Sequence, residues 1–174
     1  MFKGFFYKKE LTSLALVVIV LLPLYYLVVK VLEKKRGQKT FNITILLLYL
    51  AGVIYLTLLC KHPRSERLIN LKPFWSYGFF FHADYQWQIY MNILLFIPLG
   101  YLMNVVSNKI TVMRTILFAL IISSIIEVNQ YFLRLGLCEF DDVFHNTLGA
   151  VIGYVYFKVT ERIVNSIIKN EHCN

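Results

Sequence analysis

The chain alternates between long apolar runs and short polar breaks, at a spacing set by neither an amphipathic helix nor a strand. No charged residue falls between Leu11 and Val29, between Thr40 and Cys60, or between Tyr85 and Asn108. A fourth run, Thr111 to Leu133, holds only Arg114 near its start and Glu127 near its end. A fifth, from about Val143 to Val164, closes on Lys158, Glu161 and Arg162. About 20 mainly apolar residues are needed for a helix to cross a hydrocarbon core of about 30 Å. The pattern therefore predicts an all-α membrane protein, a bundle of about five transmembrane helices over roughly residues 11–32, 41–60, 88–107, 111–133 and 142–164. All of them belong to one domain, residues 1–174.

Composition agrees. Hydrophobic residues make up 58% of the chain and charged ones 16%, against about a quarter charged in a soluble domain, which leaves too little charge for a water-facing surface. Lys3, Lys8 and Lys9 before an apolar run resemble a signal peptide. Yet the run ends on Lys30, Lys34, Lys35 and Arg36 in place of a small-residue cleavage site, so it reads as a retained first helix. The net charge of +8 raises nucleic acid as a partner, but Lys and Arg gather at helix ends, where topology signals and contacts with anionic lipid lie. No nucleic-acid partner is expected. The short loop with Lys34, Lys35 and Arg36 predicts that side as cytoplasmic, with the N-terminus outside and the C-terminus inside. Cys60, Cys138 and Cys173 have no CxxC spacing; only Cys60 and Cys138 fall on one side, where a bridge is conceivable.

The segment between the second and third helices is rich in aromatics: Phe74, Trp75, Tyr77, Phe79, Phe80, Phe81, then Tyr85, Trp87 and Tyr90. Such rings collect at membrane interfaces. The segment is expected to lie along the surface or to re-enter, either as an anchor or as a lid over a lipid-facing site. Arg67, Lys72 and His82 are candidate headgroup contacts, with Trp75, Phe79 and Phe80 against an acyl or isoprenoid chain.

Ionisable groups inside membrane helices are costly and usually face the bundle interior. Glu127 is the clearest, with Gln130 and Tyr131 three and four residues on. Helix 5 opens with Asp141, Asp142, His145, Asn146 and Thr147, and at least one of the aspartates is expected to cap it. Asn92 starts helix 3 at the side where helix 4 ends and helix 5 begins, so topology brings Asn92, Glu127, Gln130, Asp141, Asp142, His145 and Asn146 to one depth. A hydrogen-bonded register device, a headgroup or proton site, and a carboxylate metal site all fit that composition. Gly149 and Gly153 form a GxxxG pair for close helix approach, within the chain or in a homo-oligomer. No HExxH, GxSxG or phosphate-binding glycine loop occurs.

The run Asn92-Ile93-Leu94-Leu95-Phe96-Ile97-Pro98-Leu99-Gly100-Tyr101-Leu102 resembles the signature of the VanZ-like family. Glu127 with Gln130, Asp141-Asp142, and Asn146-Thr147-Leu148-Gly149-Ala150 with Gly153 follow in order, and Asn70-Leu71-Lys72-Pro73-Phe74 resembles the piece before helix 3. The resemblance covers roughly residues 45 to 160. His145 departs from it, because an apolar residue is expected there, and this argues against a metal role; no metal or other cofactor is expected. The family is associated with low-level teicoplanin resistance, which implies the bacterial cytoplasmic membrane and the cell envelope. The resemblance carries Asn92, Glu127, Gln130, Asp142 and Asn146 across as its polar signature. The expected role is binding of a membrane lipid, a lipid-linked cell-wall precursor or a lipoglycopeptide. An intramembrane enzyme using Glu127 and Asp142, and a transporter or flippase, are the other readings.

Overall fold

A computed structural model describes residues 2–32, 37–61, 63–79 and 83–171. Five α-helices form the bundle: α1 (Phe2–Val31), α2 (Gln38–Ile54), α3 (Ala83–Val106), α4 (Val112–Leu133) and α5 (Phe140–Glu171). A π-helical turn, Tyr55–Leu59, prolongs α2. Two three-residue strands, β1 (Leu68–Asn70) and β2 (Leu137–Glu139), and a 3₁₀ turn, Trp75–Phe79, complete the described residues.

Four segments are long and apolar enough to cross a membrane: Glu10–Val31, Gln38–Leu59, Tyr85–Val106 and Val112–Leu133. Each has 22 residues, about 33 Å of helix at 1.5 Å per residue. The 32 residues of α5 are long enough as well, and its polar first turns lie buried inside the bundle. The protein is a multi-pass membrane protein. Its outer surface carries Val20, Leu48, Leu117, Val155 and Ile163, as a surface solvated by lipid requires.

Helix ends differ from the sequence expectation where charge was taken as a stop. Charged side chains end a hydrophobic span but not a helix, so α1 runs back to Phe2 through Lys8, Lys9 and Glu10. α5 continues past Val164 because no helix breaker follows, and Ile168 still packs against the cluster of Leu22, Tyr26, Tyr101 and Phe157. The predicted end of helix 4 at Leu133 agrees, with Arg134 in the left-handed region as its C-cap. Cys60 and Cys138 are both free, so the conceivable bridge between them is not formed. Lys34, Lys35 and Arg36, on which the expected orientation rests, lie outside the described residues.

The bundle is organised around α3 and α5, which run parallel. A Cβ at Gly149 would overlap the carbonyl oxygen of Ile93, and one at Gly153 that of Ile97. Reciprocally, a Cβ at Gly100 would overlap the carbonyl of Ala150. At such a separation, backbone meets backbone and Cα–H groups face carbonyl oxygens. The GxxxG pair is therefore spent within the chain. α2 packs on α3, α4 packs on α5, and Val53, Phe96, Leu99, Ala119, Ile126 and Ala150 fill the space between them.

Gly153→Leu is expected to wedge these helices apart, at a cost of at least about 1–3 kcal/mol. Gly52→Leu, at a position with open space around it, is the control. A thermal unfolding scan in detergent should show the first variant losing its transition and the second keeping it.

Candidate functional site

Two loops meet at one end of the bundle and are sewn together as β1 and β2, a parallel pair with Leu68 opposite Leu137, Ile69 opposite Cys138 and Asn70 opposite Glu139. Below them lies a cavity of about 670 Å³, within the roughly 300–1,000 Å³ of small-molecule sites. It is walled by the end of α2, the start of α3, the end of α4, β2 and the start of α5.

Three carboxylates face this cavity: Glu127 from α4, Glu139 from β2 and Asp142 from α5. They are 3%, 3% and 7% exposed. The Glu139 amide donates to Glu127 Oε2 at 3.0 Å, so strand pairing and the helix 4 acid are tied together. Gln88 of α3 spans the other two, its Nε2 lying 3.2 Å from Glu139 Oε2 and 3.3 and 3.2 Å from the Asp142 oxygens. Amides complete the ring. Asn146 Nδ2 donates to Ser123 Oγ at 2.7 Å, and the Gln130 side chain donates to the Thr57 carbonyl at 3.4 Å. The π-helical turn shifts that part of α2 to i→i+5 bonding, with the Cys60 amide on the Tyr55 carbonyl, and so presents Thr57 to the cavity. Asn92 also lines it, with its side-chain amide turned to the Asp142 carboxylate.

Lys61 and Arg64 stand on the α2 side. Lys61 Nζ donates to Gln130 Oε1 at 3.1 Å, not to an acid. Glu139, in the strand outside the spans, is pushed up to about 7 by its burial and by the charges of Asp142 and Asp141, while the Trp75 indole and Lys61 pull the other way.

Asp141 has a different task. Only 1% exposed, it accepts the Phe74 amide at 2.6 Å, the Ser76 amide at 2.9 Å and the Ser76 hydroxyl at 2.6 Å. It thus serves the start of the 3₁₀ turn as an N-cap supplied by a distant helix. Phe74 takes φ 58°, a left-handed conformation costing a non-glycine residue roughly 1–2 kcal/mol, which the charge-assisted bonds offset. The Phe74 ring packs edge-on against Phe144 at 5.5 Å, Trp75 against Tyr85 at 5.9 Å, and Tyr77 OH lies 3.1 Å from His145 Nε2. The aromatic segment is accordingly a strap fastened across the start of α5.

Of the residues singled out from sequence, Asn92, Glu127, Gln130, Asp142 and Asn146 all line the cavity. Asp141 and His145 hold the strap instead. Trp75 is in the strap beside Glu139, but Arg67 and Lys72 are exposed on the loop flanking β1 and do not line the cavity. His82 and Phe80 lie outside the described residues. Glu139, Gln88, Lys61 and Arg64 were missed. Glu139 had one signal, an acid in a short loop directly before Asp141-Asp142; Lys61 and Arg64 looked like ordinary loop charges. Among the described residues no group of three His, Cys, Asp or Glu side chains is arranged to hold a metal ion.

The polar signature thus converges in space as it does in order along the chain. The profile of the VanZ/LLP1 family matches residues 11–161. The chain belongs to this family. Protein VanZ of Enterococcus faecium is 29% identical over 128 residues, covering 70% of this chain and 76% of that protein. No solved structure is a significant match. The matched stretch takes in the cavity and the strap, so what is described here is the body of the family domain.

Two outcomes are expected. Because Glu139 titrates near 7 in the folded chain and near 4.5 otherwise, the folded state holds a proton that the unfolded state has released between those values. Stability should fall as pH rises through that window and level off above it. Melting curves of wild type and Glu139→Gln from pH 4.5 to 8 should show the slope in the first and a flatter course in the second. Asp141→Ala removes three bonds to a charged acceptor, each worth about 1.5–3 kcal/mol. It should raise amide exchange at Ser76 and neighbouring strap residues while the amides of α3 keep their protection.

Proposed function

We propose that this protein binds a lipid or lipid-linked component of the bacterial cell envelope through the cavity between α2, α3, α4 and α5, and contributes in this way to resistance against teicoplanin-type glycopeptides. The carrying observation is the cavity itself: three buried carboxylates and four amide side chains converge there. A device meant only to fix helix register would close on itself. Here Lys61 bonds an amide although three acids line the same cavity.

Apolar side chains of Leu11, Leu56, Leu95 and Ile126 share the lining, which suits a ligand with both a polar head and a hydrocarbon part. The cavity lies on the side from which α1 starts. With the N-terminus outside the cytoplasmic membrane, it opens toward the outer leaflet, where envelope precursors and lipid-tailed glycopeptides meet. Family membership supports the resistance setting, since the relative in Enterococcus faecium is a VanZ protein.

The test is teicoplanin susceptibility of a sensitive Gram-positive host expressing wild type, Glu127→Gln or Asp142→Asn at matched membrane levels. Wild type is expected to raise the inhibitory concentration and both variants to lose that increase. Equal susceptibility of all strains would sink the resistance role.

A further inference from the structure

We propose that the ligand of the cavity carries a primary ammonium group next to a phosphate, the ammonium among Glu127, Glu139 and Asp142 and the phosphate toward Lys61 and Arg64. This rests on the binding reading above and gives that reading a headgroup.

The first support is the lack of a cation bonded to the acids. Glu139 and Asp142 share the Gln88 amide nitrogen over contacts of 3.2–3.3 Å, long for a bond to a charged acceptor, and their other side-chain donors, the Trp75 indole and the Asn92 amide, are neutral as well. Glu127 receives the Glu139 amide. Among the described residues no basic side chain closes a salt bridge with any of the three acids. Buried carboxylates without a bonded cation are expensive, and one –NH₃⁺ brings three donors and a compensating charge to the same place.

The second is the sign of the opposite wall. Lys61 and Arg64 line the α2 side of the cavity, and Lys61 is held there by Gln130. Positive and negative walls facing one cavity complement a zwitterion, whereas a plain anion would meet three acids and a plain cation two bases. Protonation of the acids is the competing way to neutralise the cluster, and the raised Glu139 titration shows how strongly burial presses for one or the other.

The experiment titrates detergent-purified full-length protein with short-chain phosphatidylethanolamine, phosphatidylcholine and phosphatidylglycerol of matched chains, read by tryptophan fluorescence. Phosphatidylcholine keeps the charge without N–H donors, and phosphatidylglycerol keeps the phosphate without the cation. Phosphatidylethanolamine is expected to bind about tenfold more tightly than either, a difference of about 1.4 kcal/mol. Glu139→Gln and Asp142→Asn should abolish the preference for phosphatidylethanolamine over phosphatidylglycerol. Saturable binding with no preference for phosphatidylethanolamine overturns the ammonium assignment and leaves the binding reading standing, with the acids neutralised by protons. No saturable binding of any lipid overturns both. Free phosphoethanolamine, added as competitor, separates the sources. Displacement supports a headgroup site that either a soluble or a lipid ligand can fill, and its failure supports the lipid alone. If a variant does not purify as a single species, the three-lipid comparison on wild type still decides.

Discussion

Lipid tails are as apolar as leucine, so two helices inside a bilayer gain little from burying hydrocarbon against each other and must hold together by close contact. In this chain that contact is between α3 and α5, where Gly149 and Gly153 let the carbonyls of Ile93 and Ile97 come against the opposing backbone and Gly100 does the same for Ala150. Such a joint fixes depth as well as distance. Ile93 level with Gly149 and Ile97 level with Gly153 give a constant register between two parallel helices. Carried one to two turns back, that register sets Gln88 against Asp142 and brings Asn92 and Asn146 to one cavity. The polar site is a consequence of the glycine joint: without it, α3 and α5 would present the same side chains at unrelated heights.

Around that joint the charged residues divide into two groups. Asp141 is saturated by donors from a loop and performs a mechanical task. Glu127, Glu139 and Asp142 face a cavity and bond no basic side chain among the described residues. Equal burial thus hides different tasks, and what each acid faces separates structure from site better than exposure does.

The helices were legible because a run of some twenty apolar residues has one affordable conformation in a bilayer. The site was legible to the extent that it sits on those helices: Asn92, Glu127, Gln130, Asp142 and Asn146 follow from topology and depth. What stayed hidden depends on contacts distant in sequence. Glu139 enters the site through a three-residue strand paired with Leu68–Asn70, and no local periodicity announces so short a pair. Lys61 enters because the π-helical turn at Tyr55–Leu59 brings the end of α2 toward Gln130, a distortion with no signature in Tyr-Leu-Thr-Leu-Leu. Asp141 and Asp142 look alike on paper. Only the fold tells them apart.

Those two aspartates are joined by a single peptide unit, and on a helix neighbouring side chains diverge by about 100°. One grips the strap and the other forms part of the cavity wall. The strap and the cavity are therefore built on the same turn of α5, with Phe74 and Ser76 bonded to one carboxylate and the cavity walled by the next. The aromatic surface of the protein and its buried acids thus have one turn of helix as their common footing.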